Sequence, residues 1–122
     1  AIDFTTMPDH LISYSNALQQ LFDCLLFYKN TELMDTVICS TFVECHVNNV
    51  VVLLYHHHNN IKVCSSLLHL TNNMALSNHL QECLNDRNAI NTVVSLMNRG
   101  VCPTLCMRVL HNLTDPAKYW PH

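Results

Sequence analysis

Apolar residues along the chain recur at spacings of three and four, the spacing of one face of an α-helix. The pattern runs through residues 11–26 and returns at Ile61, Cys64 and Leu67. Residues 50–54 are rich in β-branched side chains and fit a buried strand by propensity alone. The chain offers no partner strands for it, so this stretch is predicted to be a short buried helix.

The spacing predicts a series of helices joined by short turns, at 9–29, 32–45, 47–57, 60–72, 74–84, 88–98 and 103–114. Pro8 and Pro103 stand at the start of the first and last of these, where proline is tolerated because the first-turn N–H has no helical partner. A further helix is expected to begin near Pro116. The asparagine pairs at 59–60 and 72–73 are predicted to be turns, since Asn caps helices and tolerates left-handed backbone.

Two kinds of apolar block recur at one offset of 42 residues. Successive copies of the first block have Leu26, Leu68 and Leu110 at equivalent positions. The two copies of the second block have Val51 and Val93 at equivalent positions. Because two different blocks share one period, the chain is predicted to consist of repeated units. The units are expected at about residues 1–30, 31–73 and 74–115, together forming a single helical domain over residues 1–122.

Composition narrows the classes of protein. The 122 residues include one glycine, which disfavours β-hairpins and phosphate-binding loops. Six basic against nine acidic side chains give a net charge of −3 without a basic run; nucleic acid is therefore not expected as a partner. The longest apolar stretch, 50–55, is far shorter than the roughly 18 residues of a membrane span, so no membrane contact is expected.

Seven cysteines lie mostly among apolar neighbours, and no Cys-x-x-Cys pair occurs. An odd number cannot all pair within one chain. They are predicted to be small hydrophobic residues of a helical core in a reducing compartment, which favours a cytoplasmic location. The chain starts without Met and ends without an obvious stop to its last element, so it is expected to be a fragment of a longer protein.

Histidines and cysteines provide the candidates for metal and enzyme chemistry. His56, His57 and His58 are consecutive, so on a helix they point about 100° apart and cannot all converge on one ion. Cys45 beside His46, or Cys106 with His69, would be the candidate thiol nucleophiles, but nothing in the sequence gives either thiol an electropositive setting. We therefore expect no metal, no cofactor, no catalytic residue and no enzyme activity.

Two segments resemble the armadillo family of helical repeats. Residues 88–97, Asn-Ala-Ile-Asn-Thr-Val-Val-Ser-Leu-Met, resemble the family's Gly-Ala-Ile-Pro-x-Leu-Val-x-Leu-Leu stretch, and residues 110–114, Leu-His-Asn-Leu-Thr, resemble the Leu-x-Asn-Leu-Ser end of its last helix. Asn88 replaces the usual glycine. The resemblance is good over 60–114 and fair over 8–57; HEAT-like is also a fair description. It implies an all-α, right-handed superhelical solenoid of about three repeats.

The resemblance also implies a partner-binding groove lined by the last helix of each unit. Aligned on the helix ends, the groove positions form pairs spaced i, i+4: Asp23 and Phe27, Ser65 and His69, Arg108 and Asn112. Only Asn112 carries the family's own residue type, the asparagine that holds the backbone of an extended peptide. An ordinary exposed helix face explains these pairs equally well.

Three functions follow as hypotheses from the sequence. The first is a protein-interaction scaffold that binds a peptide or partner helix in the cytoplasm. Asn98-Arg99-Gly100-Val101, followed by a helix and Leu-x-Asn-Leu, is faintly similar to the C-terminal armadillo-like region of abnormal-spindle proteins, a resemblance that would place the chain on spindle or cytoskeletal machinery. The second is a structural cap or homodimerisation element of a longer helical-repeat protein. The third, a His and Cys enzyme or metal site, has the least support.

Overall fold

The computed structural model describes the backbone of residues 8–27, 41–76 and 78–114, and the side chains of 9–20, 46–76 and 80–114. Within these ranges the regular structure is entirely helical, which confirms the all-α class. The described helices are α1 (Pro8–Phe27), α2 (Thr41–His56), α3 (Ile61–Met74), α4 (Asn78–Asp86), α5 (Ala89–Asn98) and α6 (Pro103–Thr114).

Several local predictions are confirmed. Helices begin at Pro8 and at Pro103, and the β-branched stretch 50–54 is helical and largely buried within α2. Asn60 caps α3, since its Oδ1 accepts a hydrogen bond from the Val63 N–H at 3.1 Å. Asn88 precedes α5 with φ 59° and ψ 34°, the left-handed conformation in which Asn stands in for glycine.

Two local predictions are wrong. The predicted break between helices at residue 46 does not occur, because α2 runs without interruption from Thr41 to His56. Val47 and Val50 have no exposed surface, so packing continues the helix through residues of modest helix propensity. Asn72 and Asn73 do not form a turn either, and α3 continues to a buried Met74. The expected helix over 32–45 and the tail from Pro116 fall partly or wholly outside the described residues.

Helix α3 is the central element of the described part of the chain. Its contact with α1 is the most extensive between any two helices, and it also packs against α6 and α2. On the other side of the core, α2 contacts α4 and α5, while α4 contacts α5 and α6. Helices that carry blocks 42 residues apart, α1 with α3, α3 with α6 and α2 with α5, therefore pack directly against each other.

The core lies between these helices and consists mainly of aliphatic side chains. The buried residues of α3 include Cys64 and Leu67, as the sequence pattern predicts, but Ile61, the first residue of that pattern, is 64% exposed. The other helices contribute single faces of the same kind. The largest side chains with almost no exposed surface are Leu11, Leu53, Leu54, Leu67, Leu68, Leu70, Met74, Leu80, Leu84 and Leu96.

Candidate partner-binding surface

The structure brings four of the six predicted groove residues to one side of the α3–α6 pair. Ser65 and His69 on α3 line a shallow surface pocket together with Arg108 on α6. Arg108 also lines a second, adjacent pocket, which contains Asn112. The side chains of Asp23 and Phe27, the remaining two predicted residues, lie outside the described part of the structure.

We call the lining of these two pockets the α3–α6 surface. The pockets have volumes of about 310 and 290 Å³ and are joined through Arg108. Both are broad and open, and they follow the helices rather than penetrating the core. The α3–α6 surface consists of Ser65, His69, Asn72, Cys102, Pro103, Thr104, Leu105, Met107, Arg108, His111 and Asn112.

Asn112 is held in place from two directions. Its side-chain N–H donates to the Oδ1 of Asn72, which links the far ends of α3 and α6. Its backbone carbonyl accepts from the Nε2 of Gln81 at 2.8 Å. Gln81 has no exposed surface and also donates to the carbonyl of Leu113 at 3.0 Å, so α4 satisfies the last carbonyls of α6. These bonds fix the end of α6 and with it the Asn72–Asn112 pair.

The charge of the α3–α6 surface is one-sided. Arg108 is exposed, and the imidazoles of His69 and His111 are exposed beside it. The lining contains no carboxylate side chain, although the whole sequence has a net charge of −3. The α3–α6 surface is therefore suited electrostatically to an acidic ligand.

Some members of this surface were not predicted from the sequence. The sequence predicts a turn at Asn72, and the groove pattern does not include Met107, His111 or Cys102. Met107 is the clearest missed signal, because its position between Cys106 and Arg108 turns it away from the buried stripe of α6. It is 60% exposed, so it presents a large apolar side chain on the outer face of α6.

A smaller cleft lies between α2 and α5. It has a volume of about 150 Å³, with Leu54 and Leu96 at its base and Tyr55 at its side. Its polar lining consists of His56, His58, Thr92, Ser95 and Arg99. Two of the three consecutive histidines thus reach one cleft, and His57 does not line it. Across the described residues, no three His, Cys, Asp or Glu side chains are grouped closely enough to hold a metal ion.

The two candidate thiol nucleophiles have different settings. Cys106 has no exposed surface, and burial, followed by the neighbouring Cys102 thiol, raises the pKa of Cys106 to about 11. Its proposed partner His69 is exposed on the α3–α6 surface. The Cys45 side chain lies outside the described part. Its neighbour His46 shares a hydrogen bond through Nδ1 with the Tyr14 hydroxyl, and burial lowers the pKa of His46.

Within the described residues, no helix has both the length and the apolar character that crossing a bilayer requires. Comparison of the chain with protein-family models, with curated proteins and with solved structures gives no significant match.

Proposed function

We propose that the chain is a protein-interaction scaffold that binds an extended peptide along the α3–α6 surface. The observation that carries the proposal is the convergence of Ser65, His69, Arg108 and Asn112 on two adjoining pockets. The armadillo groove pattern predicts these four residues from the sequence alone. The two pockets share Arg108, so the four residues lie on neighbouring parts of one side of the α3–α6 pair.

We also propose that the helices form a repeat architecture. The 42-residue offset and the side-by-side packing of the helices that share it support a solenoid of about three armadillo/HEAT-like units. In such an array, equivalent helices stack, and their outer faces form one extended surface. A peptide that follows this surface would cross α3 and α6 in turn and meet equivalent positions on each.

The lining indicates which peptide chemistry fits. The side-chain amides of Asn72 and Asn112 can hydrogen-bond a peptide backbone, as the family asparagine does. Arg108, with His69 and His111 nearby, favours an acidic side chain of the ligand. The exposed thioether of Met107 offers an adaptable apolar contact for a neighbouring ligand residue. The proposed ligand is therefore an extended segment that combines carboxylate and apolar side chains.

The proposed cellular location rests on two features of the sequence. The abundance of cysteines in apolar segments supports a reducing, cytoplasmic compartment. The similarity of residues 98–101 to an abnormal-spindle region supports a role on spindle or cytoskeletal machinery. Immunofluorescence of the tagged protein through the cell cycle would test this part, with diffuse staining at every stage as the contrary result.

The binding proposal can be tested with a random library of extended peptides selected against the whole chain. We expect enrichment of acidic sequences that bind wild type and lose affinity on Arg108→Ala or Asn112→Ala. Lys62→Ala is the matched control, because Lys62 is an exposed cation of α3 outside both pockets. Selected peptides that bind the Arg108 and Asn112 variants as tightly as wild type would contradict the proposal.

The alternative function, a structural cap or dimerisation element, also has an observation in its favour. Tyr55 near the end of α2 and Ile61 at the start of α3 are 68% and 64% exposed. Large apolar side chains exposed beside one turn can bury each other in a contact between copies. Sedimentation that shows a dimer of wild type and a monomer of the Tyr55→Ser, Ile61→Ser variant would favour this alternative. A monomer at all concentrations would remove its support.

A further inference from the structure

The cleft between α2 and α5 has an apolar base formed by two equivalent positions of the repeated pattern. Leu54 and Leu96 are separated by the same offset of 42 residues as the recurring blocks, and both line the cleft. Their exposed fractions are 1% and 2%, so the base is part of the packed core. We call this the α2–α5 cleft. It is more enclosed than either pocket of the α3–α6 surface.

One wall of the α2–α5 cleft is a single face of α5. Thr92, Ser95 and Arg99 follow one another at spacings of three and four, and Leu96 lies on the same face. Ser95 and Arg99 are one turn apart and both are exposed, so a hydroxyl and a guanidinium lie side by side at the opening of the cleft. The Thr92 hydroxyl donates to the carbonyl of Asn88 at 3.4 Å. Ser95 is therefore the hydroxyl of this wall that is better suited to a ligand.

The opposite wall consists of the end of α2 and the turn that follows it. The Tyr55 ring packs edge-on against the ring of His56, with centroids 5.4 Å apart. His58 folds back over the turn, where its Nδ1 donates to the carbonyl of Tyr55 at 2.9 Å. Because a carbonyl can only accept, this bond assigns the proton to Nδ1 and makes Nε2 of the neutral ring an acceptor. A negatively charged ligand group is therefore better placed on the α5 wall than against His58.

Arg99 provides the charge of the α2–α5 cleft. Its guanidinium is always protonated, and the lining of the cleft contains no carboxylate side chain. A guanidinium binds a carboxylate through two parallel N–H donors, which is among the strongest hydrogen-bonded pairs in proteins. The Ser95 hydroxyl, one turn away, can donate a further bond to the same group. The polar part of the cleft is therefore complementary to a single carboxylate.

The apolar part of the cleft indicates the size of the rest of the ligand. The cleft has a volume of about 150 Å³, and an apolar cavity of about this volume accommodates one benzene molecule. Leu54 and Leu96 would contact one face of such a ring, and the Tyr55 ring at the side would contact its edge. Tyr55 is 68% exposed, so a ligand ring beside it would remove apolar surface from water.

We propose that the α2–α5 cleft is a binding site for a small aromatic carboxylate. The ring of the ligand lies on Leu54 and Leu96 beside Tyr55. Arg99 and Ser95 bind the carboxylate. The cleft belongs to helices other than the α3–α6 pair, so this site does not depend on the proposed peptide-binding function.

An NMR titration of the whole chain with benzoate tests the proposal, together with two probes that each keep half of its chemistry. Benzamide keeps the ring without the charge, and acetate keeps the charge without the ring. We expect saturable binding of benzoate and at least about tenfold weaker binding of each other probe, because each lacks one of the two contributions. Absence of saturable benzoate binding would overturn the proposal, as would an equal affinity for benzamide or acetate.

A variant and a direct contact measurement locate the site. Arg99→Gln keeps much of the side-chain length and removes the charge, so we expect about tenfold weaker benzoate binding and little change for benzamide. Lys62→Gln removes an exposed cation of α3 outside the cleft and should leave benzoate binding unchanged. In the wild-type chain, nuclear Overhauser effects should connect the benzoate ring protons to methyl groups of Leu54 and Leu96. Benzoate that binds Arg99→Gln as tightly as wild type, or that contacts only methyl groups elsewhere, such as that of Met107, would overturn the proposal.

Discussion

Helix α3 contacts α1 and α6 through different kinds of side chain. On the α1 side, the helices make their most extensive contact, and the buried Ser15 hydroxyl donates to the Ser66 carbonyl at 2.9 Å. The Ser66 hydroxyl in turn donates to the Oδ1 of Asn16 at 3.3 Å. On the α6 side, the contact leaves two open pockets, and its polar residues include Arg108 and Asn112.

This difference follows from side-chain size and charge. Small serines let α1 approach α3 closely, and their hydroxyls bond to the neighbouring helix. On the α6 side Arg108 and His69 stay exposed, because burying a charged or polar side chain without a partner is costly. The two contacts of α3 therefore combine hydroxyl hydrogen bonds at one step with exposed cationic and amide side chains at the next.

The largest expected loss of unfolding free energy comes from a substitution in the middle of α3, which weakens its packing against both α1 and α6. Leu67 has no exposed surface in the middle of α3, so Leu67→Ala removes buried methyl groups and leaves a cavity. We expect a loss of about 2–5 kcal/mol in the free energy of unfolding, measured by urea denaturation. Ile61→Ala, at an exposed position of the same helix, should change it by less than about 0.5 kcal/mol. Equal effects of the two variants would show that α3 does not have this central role.

The end of α6 is held by Gln81, which lies on α4 and not on α3 or α6. Gln81→Met keeps the length of the side chain but removes its hydrogen bonds to the carbonyls of Asn112 and Leu113. We expect a loss of about 1–3 kcal/mol in unfolding free energy. Glu82→Gln, an exposed neighbour, is the control. A stability unchanged by Gln81→Met would mean that the end of α6 is held by other contacts.

A smaller effect is expected on the α1 side. Ser15→Ala removes the one hydroxyl that bonds the Ser66 carbonyl, while the apolar contact between the helices remains. The expected loss is about 0.5–1.5 kcal/mol, measured in the same denaturation experiment. Ser95→Ala, at an exposed position of α5, should have almost no effect. A larger loss of unfolding free energy for Ser15→Ala than for Gln81→Met would contradict the expectation that the hydrogen bonds of Gln81 contribute more to stability.

The smallest effect concerns the attachment of α1 to α2 through Tyr14 and His46. Burial lowers the pKa of His46 below its ordinary 6.5, so the unfolded chain binds a proton more readily than the folded one. The stabilising contribution is complete above pH 6.5 and declines as the pH falls below that value. Thermal melts of wild type and His46→Gln between pH 7.5 and 5 should therefore differ in slope. Parallel curves would exclude a role for His46 in the acid sensitivity.

Features set by local chemistry could be predicted from the sequence. Proline at the first turn located the starts of α1 and α6, and asparagine chemistry identified the cap at Asn60 and the left-handed Asn88. Features that depend on packing between helices could not be predicted from the sequence. The continuity of α2 depends on buried valines, and Asn72 stays helical within a stretch whose neighbour Thr71 is fully buried.

The sequence predicts only part of the α3–α6 surface, because spacing along one helix can be read from the sequence and contacts between helices cannot. A pattern along one helix identifies residues that share a face, so Ser65 with His69 and Arg108 with Asn112 could be paired from spacing. Contacts between helices depend on how those helices cross. The Asn72–Asn112 hydrogen bond and the hydrogen bonds from Gln81 of α4 to the end of α6 depend on the three-dimensional arrangement.

The central position of α3 also determines which part of the chain opens last. A fluctuation that detaches α1 leaves α3 covered by α6 and α2, and one that detaches α6 leaves it covered by α1 and α2. The backbone amides of Val63 to Leu70 should therefore exchange with solvent deuterium only when several helices have separated, whereas those of α1 and α6 exchange through smaller openings. Release of α6 alone would uncover Cys64 and Cys106 while most of the helical core remains intact.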